Sequence, residues 1–136
     1  MEATVSALLN QQINKEFYSA YLYLDIANFY ASKGLDGFAN WYQVQAKEEQ
    51  DHAMLFYQYL HNNGQPVILE AVGKPDGAFA SLEAPLAAAL EHERYVTALI
   101  NAIYTAALSG AGLPHRTVSG LVCKGAGRGS RKTPLT

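Results

Sequence analysis

The sequence predicts an all-α fold, a four-helix bundle with one long crossover, of which the chain supplies three long helices and an irregular C-terminal tail. Three observations carry that reading. Apolar residues recur at three- and four-residue spacing over three stretches of similar length, the signature of amphipathic helices. The second and third stretches are separated by a Pro- and Gly-bearing segment too long for a simple turn. Each stretch also carries, on its apolar stripe, an ionisable residue that only a shared interior site would keep there.

The first helix is expected over residues 4–31, with a stripe of Leu9, Ile13, Glu16, Ala20, Tyr23 and Ala27, and a stop at Ser32-Lys33-Gly34. Asp36 offers an N-cap for a second helix over 36–63, whose stripe reads Phe38, Trp41, Gln45, Glu49, His52, Phe56 and Tyr59 and which stops at His61-Asn62-Asn63-Gly64. So short a connection makes these two helices antiparallel. Residues 65–80, with Pro66, Gly73, Pro75 and Gly77, read as a loop, and Ser81 can cap a third helix over 82–109 with the stripe Leu86, Leu90, Glu93, Thr97, Ile100 and Tyr104. The second helix is about 42 Å long at roughly 1.5 Å per residue. The loop, fully extended, reaches about 53 Å at roughly 3.3 Å per residue. It can therefore cross the whole bundle, which makes helices two and three parallel and calls for a fourth helix.

At 136 residues, with residues 1–109 read as one helical domain, the chain is long enough for a real core. No apolar run approaches a membrane span, and the N-terminus lacks a secretory pattern, so a cytoplasmic location without membrane association is expected. A single cysteine, Cys123, excludes an internal disulfide and a cysteine metal cage. The formal charge of −2 divides unevenly: residues 1–109 hold all twelve acids against five bases, whereas residues 110–136 hold five bases and no acid. The helical part repels nucleic acid, and the tail has no aromatic residues interleaved with its bases, so no nucleic-acid partner is expected.

The tail is anomalous. Six of the eleven glycines and the only cysteine fall within residues 110–136, where the helical period is lost. It reads as disordered or as out of frame. Residues 112–129 can be encoded so that the frame one nucleotide later spells an amphipathic, acidic peptide with a Glu-Gln-x-Glu run, which is the kind of fourth helix the fold needs.

The chemistry is concentrated in Glu49-Gln50-Asp51-His52, with Glu16 one helix earlier and Glu93 one helix later. A lone Glu-x-x-His is commonplace, but three carboxylates and an imidazole on the core stripes of three helices form a set. Buried carboxylates are costly unless a cation bridges them, and this donor set suits one or two divalent metals.

Residues 5–109 resemble bacterial non-haem ferritin, through Asn14-Lys15-Glu16-Phe17-Tyr18-Ser19-Ala20-Tyr21-Leu22-Tyr23, Lys47-Glu48-Glu49-Gln50-Asp51-His52 and Glu91-His92-Glu93-Arg94. The resemblance implies a ferritin-like bundle with the di-iron ligands typical of that fold. Glu16, Glu49 and His52 would form the first iron site, with Glu49 bridging to a second iron that Glu93 also ligates. Glu48 would belong to an accessory third site, and Tyr23 would donate an electron during oxygen reduction. The implied activity is ferroxidase: ferrous iron and dioxygen are the partners, ferric iron is the product, and the intact family member is a homo-24-mer that stores it as mineral. The haem-binding branch has methionine after the bridging glutamate, where this chain has Gln50, so no haem is expected. The family's fourth and fifth helices have no in-frame match. An open apolar groove, an incomplete second site, impaired iron oxidation and failure to build a competent shell are therefore expected.

His92 is expected to face away from the Glu93 stripe, exposed, and His61 to sit favourably at a helix C-terminus. The competing reading is a non-catalytic helical interaction protein whose core acids hydrogen-bond to tyrosines and to one another.

Overall fold

The computed structural model describes residues 1–110, and among them it contains three α-helices and no strand: α1 (Ala3–Ser32), α2 (Asp36–Asn62) and α3 (Ala84–Gly110). The readings that concern the tail, including its irregularity, its reading frame and the groove left by a missing helix, fall on or depend on residues 111–136 and lie outside the described residues.

Both helix stops are built by glycine. Gly34 and Gly64 adopt φ of 74° and 68°, the left-handed region that costs a side-chain-bearing residue about 1 to 2 kcal/mol. At the end of α1 the Gly34 amide donates to the Ala31 carbonyl at 3.0 Å and the Leu35 amide to the Tyr30 carbonyl at 2.9 Å. Gly64 and Gln65 repeat the pattern on His61 and Leu60 at the end of α2. These paired bonds satisfy carbonyls that a helix end would otherwise leave open. The expected Asp36 N-cap is corrected: Leu35 occupies the boundary with no side-chain cap, and Asp36 is the first helical residue. Its carboxylate still complements the positive end of the helix dipole. At α3 the Ser81 hydroxyl does cap, accepting from the Ala84 amide at 3.2 Å.

The segment between α2 and α3 runs along α1 in the same direction as α1. Asn10 accepts from the Ile68 amide at 2.8 Å and donates to the Pro66 carbonyl at 3.1 Å, and Asn14 donates to the Ala71 carbonyl at 2.9 Å. Further along, Gly73 lies beside Tyr18 and Gly77 beside Asp25, Phe79 packs edge-on to Phe29, and the Tyr30 hydroxyl donates to the Leu82 carbonyl at 2.7 Å. The chain is thus carried from one end of the bundle to the other, and α3 begins beside the C-terminal end of α1. Since α2 and α3 are each antiparallel to α1, they are parallel to each other. They lie diagonally, with no Cα pair within 8 Å. Among the described residues no helix is long and apolar enough to cross a membrane.

Two apolar clusters sit at the two ends of the bundle. One joins Val5, Leu9 and Ile13 to Ala53, Phe56, Leu60, Ile103 and Ala107. The other joins Tyr23, Ile26, Tyr30, Tyr42, Ala46 and Ala89. Every member of the α1 stripe is buried, Glu16 completely. On α3 the buried line is Ala89, Val96, Ile100, Ile103 and Ala107, whereas Leu90, placed on the core stripe by its spacing, is about half exposed. Leu90 follows Ala89 by one position, about 100° around the helix, and so turns away from that buried line.

Tyr42 is an exception within its cluster. Its ring is buried between Tyr23 and Tyr30, with centroids 5.8 and 6.0 Å away, yet its hydroxyl has no hydrogen-bond partner among the described residues. Burial, helped by Tyr30 and Glu93, pushes the phenol well above its ordinary range. Tyr42→Phe removes an unsatisfied polar group while keeping the ring, so it is expected to raise stability by about 1 kcal/mol. Because a raised folded-state pKa gives stability that is present below pH 10 and lost as pH rises, the variant should also lose less stability in alkali. Chemical denaturation at pH 7 and above pH 10 checks both.

Candidate metal centre

Glu16 on α1 meets Glu49 and His52 on α2 at the middle of the antiparallel pair, where the two apolar clusters give way to polar side chains. Each of the three offers one ligand atom, and these atoms lie within 4.8 Å of one another. Both glutamates are fully buried, and the His52 side chain is 14% exposed. The three-residue spacing of Glu49 and His52 places both on one face of α2. His52 Nδ1 lies 3.4 Å from Glu49 Oε2 and 3.9 Å from Glu16 Oε2, so all three donors point into the same volume.

Glu93 stands outside this trio. It is half-buried on α3, and its Oε1 accepts a hydrogen bond from the Tyr23 hydroxyl, which links it to α1 two turns beyond Glu16. Tyr23 is itself buried, with its ring close to Tyr42 and edge-on to His92. Glu48 is half-buried on the flank of α2 beside Glu49 and likewise lies outside the trio.

His92 differs from expectation. It is half-buried, and Nε2 lies 2.6 Å from the Ser19 hydroxyl oxygen. The same hydroxyl lies 2.8 Å from the Lys15 carbonyl, so Ser19 bridges His92 and its own helix backbone. Helical spacing put His92 off the Glu93 stripe, but it could not show that Ser19, fully buried on α1, reaches it. His61 is exposed in the last turn of α2, where it can complement the helix dipole, and its ring lies 4.7 Å from that of Tyr57.

Gln12 was not singled out by the sequence. It is 2% exposed, one turn before Glu16, and its Nε2 donates to Glu16 Oε1 at 3.1 Å. The available signal was an amide at i−4 from a core carboxylate, flanked by Leu9 and Ile13 on the same apolar surface.

Chemically, the trio offers two carboxylates and one imidazole in a water-poor setting. Two like charges so placed repel and are costly to desolvate, and a divalent ion between them offsets both terms. Hard oxygen donors with one nitrogen suit a first-row divalent metal, and three protein ligands leave positions open for other groups.

The comparisons with known proteins bear on the family and the fold. The ferritin-like domain model matches residues 6–111. Bacterial non-heme ferritin of Staphylococcus epidermidis is 37% identical over 91 residues, covering 67% of this chain and 55% of that protein. Its counterpart in Campylobacter jejuni is 38% identical over 99 residues, covering 73% and 59%. The chain thus matches little more than half the length of these relatives. Among solved structures, the open pore ferritin from the hyperthermophilic archaeon Archaeoglobus fulgidus superposes with a TM-score of 0.89 at 34% identity, covering 96% of this chain and 81% of that one.

Proposed function

Because the chain belongs to the ferritin family, we propose that it takes up ferrous iron at Glu16, Glu49 and His52 and promotes its oxidation by dioxygen for storage as ferric mineral. Iron is here the substrate. The observation that supports this most directly is the convergence of two fully buried carboxylates and an imidazole within 4.8 Å, across two helices. Glu16 and Glu49 supply hard oxygens that favour the ferric product, and His52 supplies the nitrogen that retains affinity for the ferrous form. Each ferrous ion gives up one electron, and dioxygen accepts them.

Glu93 would complete a second position, with Glu49 shared between the two, and Glu48 would serve an accessory ion on the flank of α2. Tyr23, hydrogen-bonded to Glu93, would supply an electron to oxygen reduction. A cytoplasmic 24-subunit assembly is the intact family member's setting for such chemistry; for this chain the proposal is an impaired form of that function.

One observation favours a second reading. Tyr23 donates to Glu93 and Gln12 donates to Glu16, the kind of internal hydrogen bonding that a metal-free structural network would use. Anaerobic titration with ferrous iron, followed by exposure to air, separates the two. Stoichiometric uptake and a near-ultraviolet ferric absorbance that requires oxygen support the ferroxidase, whereas no uptake supports the interaction protein.

A further inference from the structure

The two oxygens of Glu16 have different surroundings. Oε1 accepts the hydrogen bond from Gln12 Nε2 at 3.1 Å, while Oε2 faces His52 Nδ1 at 3.9 Å and belongs to the converging trio. Gln12 and Glu16 are both buried, at 2% and 0% exposure, and sit one helical turn apart. The amide orientation follows from chemistry. With Glu16 ionised, as a metal ligand must be, the NH2 end is the one that can face it, since turning the amide over would set two oxygens against each other.

The terminal torsion of a glutamate side chain is soft and can rotate broadly between its two equivalent orientations. A carboxylate free to rotate can offer a metal one oxygen or both. The geometry points to Gln12 as a positioning residue for Glu16: by engaging Oε1 it holds the carboxylate with Oε2 toward Glu49 and His52, so that Glu16 binds metal through a single oxygen. The inference rests on the metal-site reading above and adds a denticity to it. A neutral amide suits this task because it fixes the ligand without cancelling its charge, as a lysine or arginine in the same place would. Partners that orient a ligand in this way typically change metal affinity about 10- to 100-fold when removed.

Cobalt(II) is a suitable probe, since its visible bands report coordination number and it does not require oxygen. In the full chain, Gln12→Met keeps the length of the side chain and removes the donor, and Gln12→Asn keeps the amide but withdraws it by one methylene. Each is expected to bind cobalt about 10- to 100-fold more weakly. Each should also give weaker visible absorption per ion, because Oε1, released from Gln12, joins Oε2 on the metal and raises its coordination number. A purely packing role for Gln12 would lower the melting temperature and leave the cobalt spectrum as it is, and that outcome overturns the inference. If one variant does not fold, as judged by helical circular dichroism, the other carries the test. An unmodified chain that takes up no cobalt overturns the metal-site reading itself, and the positioning role with it.

Discussion

Replacing His52 with alanine is expected to abolish binding of the first ferrous ion, while replacing Glu93 with alanine leaves that ion in place. His52 supplies the only nitrogen of the trio, and its Nδ1 lies within 3.9 Å of both carboxylate oxygens that face it. Loss of a direct ligand should exceed the effect of losing a partner that merely orients one, so a fall of at least about a hundredfold in affinity is expected, or about 2.8 kcal/mol. Glu93 stands on α3 outside the trio, tied to Tyr23, and so contributes only to a second position. Anaerobic titration of both variants gives the comparison. Unchanged stoichiometry in His52→Ala would falsify the site assignment.

Glu49→Gln is expected to act in opposite directions with and without metal. Without metal, Glu16 and Glu49 bring two fully buried acids together beside the His52 imidazole, with ligand atoms within 4.8 Å of one another. The isosteric amide removes one potential charge and its repulsion, so the metal-free variant should be more stable, on the order of 1 to 3 kcal/mol. With metal the order reverses. An ion present at a hundredfold excess over its dissociation constant stabilises the folded chain by about 2.7 kcal/mol, and the variant should gain almost none of it. Thermal melts with and without a divalent ion check both halves. A metal-free Glu49→Gln chain that is less stable than its parent would mean that the carboxylate is already well served by the protein, as the interaction-protein reading requires.

Much of the architecture was legible because it depends on local patterns. The α1 stripe through Glu16 and Tyr23, the glycine stops at Gly34 and Gly64 and the Ser81 cap are each set by residues within a few positions of one another. The crossover was legible by length alone, though not the means of holding it, since nothing in the sequence says that Asn10 and Asn14 reach carbonyls more than fifty residues away. What could not be read is what depends on the neighbour. Leu90 shares a stripe with Glu93, but the buried line of α3 runs through Ala89 and Val96. His92 has the spacing of a surface residue and nonetheless meets Ser19. Asp36 is a good capping residue placed one position late, because the glycine turn ending α1 continues directly into Leu35. For the candidate site, the helical period brought Glu16, Glu49 and His52 to core stripes, but periodicity cannot say which carboxylate oxygen faces inward or that Gln12 engages the other.

The crossover has a consequence for the order in which the protein is assembled. The trio is supplied wholly by α1 and α2, which are separated only by residues 33–35, whereas α3 docks after the chain has travelled along all of α1. Closing a short loop costs less entropy than closing a long one, and contacts between neighbours in sequence form sooner. The α1–α2 hairpin, with Glu16, Glu49 and His52 already in register, is therefore the expected early unit of folding, and the Tyr23–Glu93 and Ser19–His92 bonds are latches that close last. Pulse-labelled amide exchange should protect α1 and α2 before α3, and the reverse order would exclude this sequence of events. A nascent chain could then hold a cation before its third helix is in place, so that the ion itself helps to nucleate the bundle.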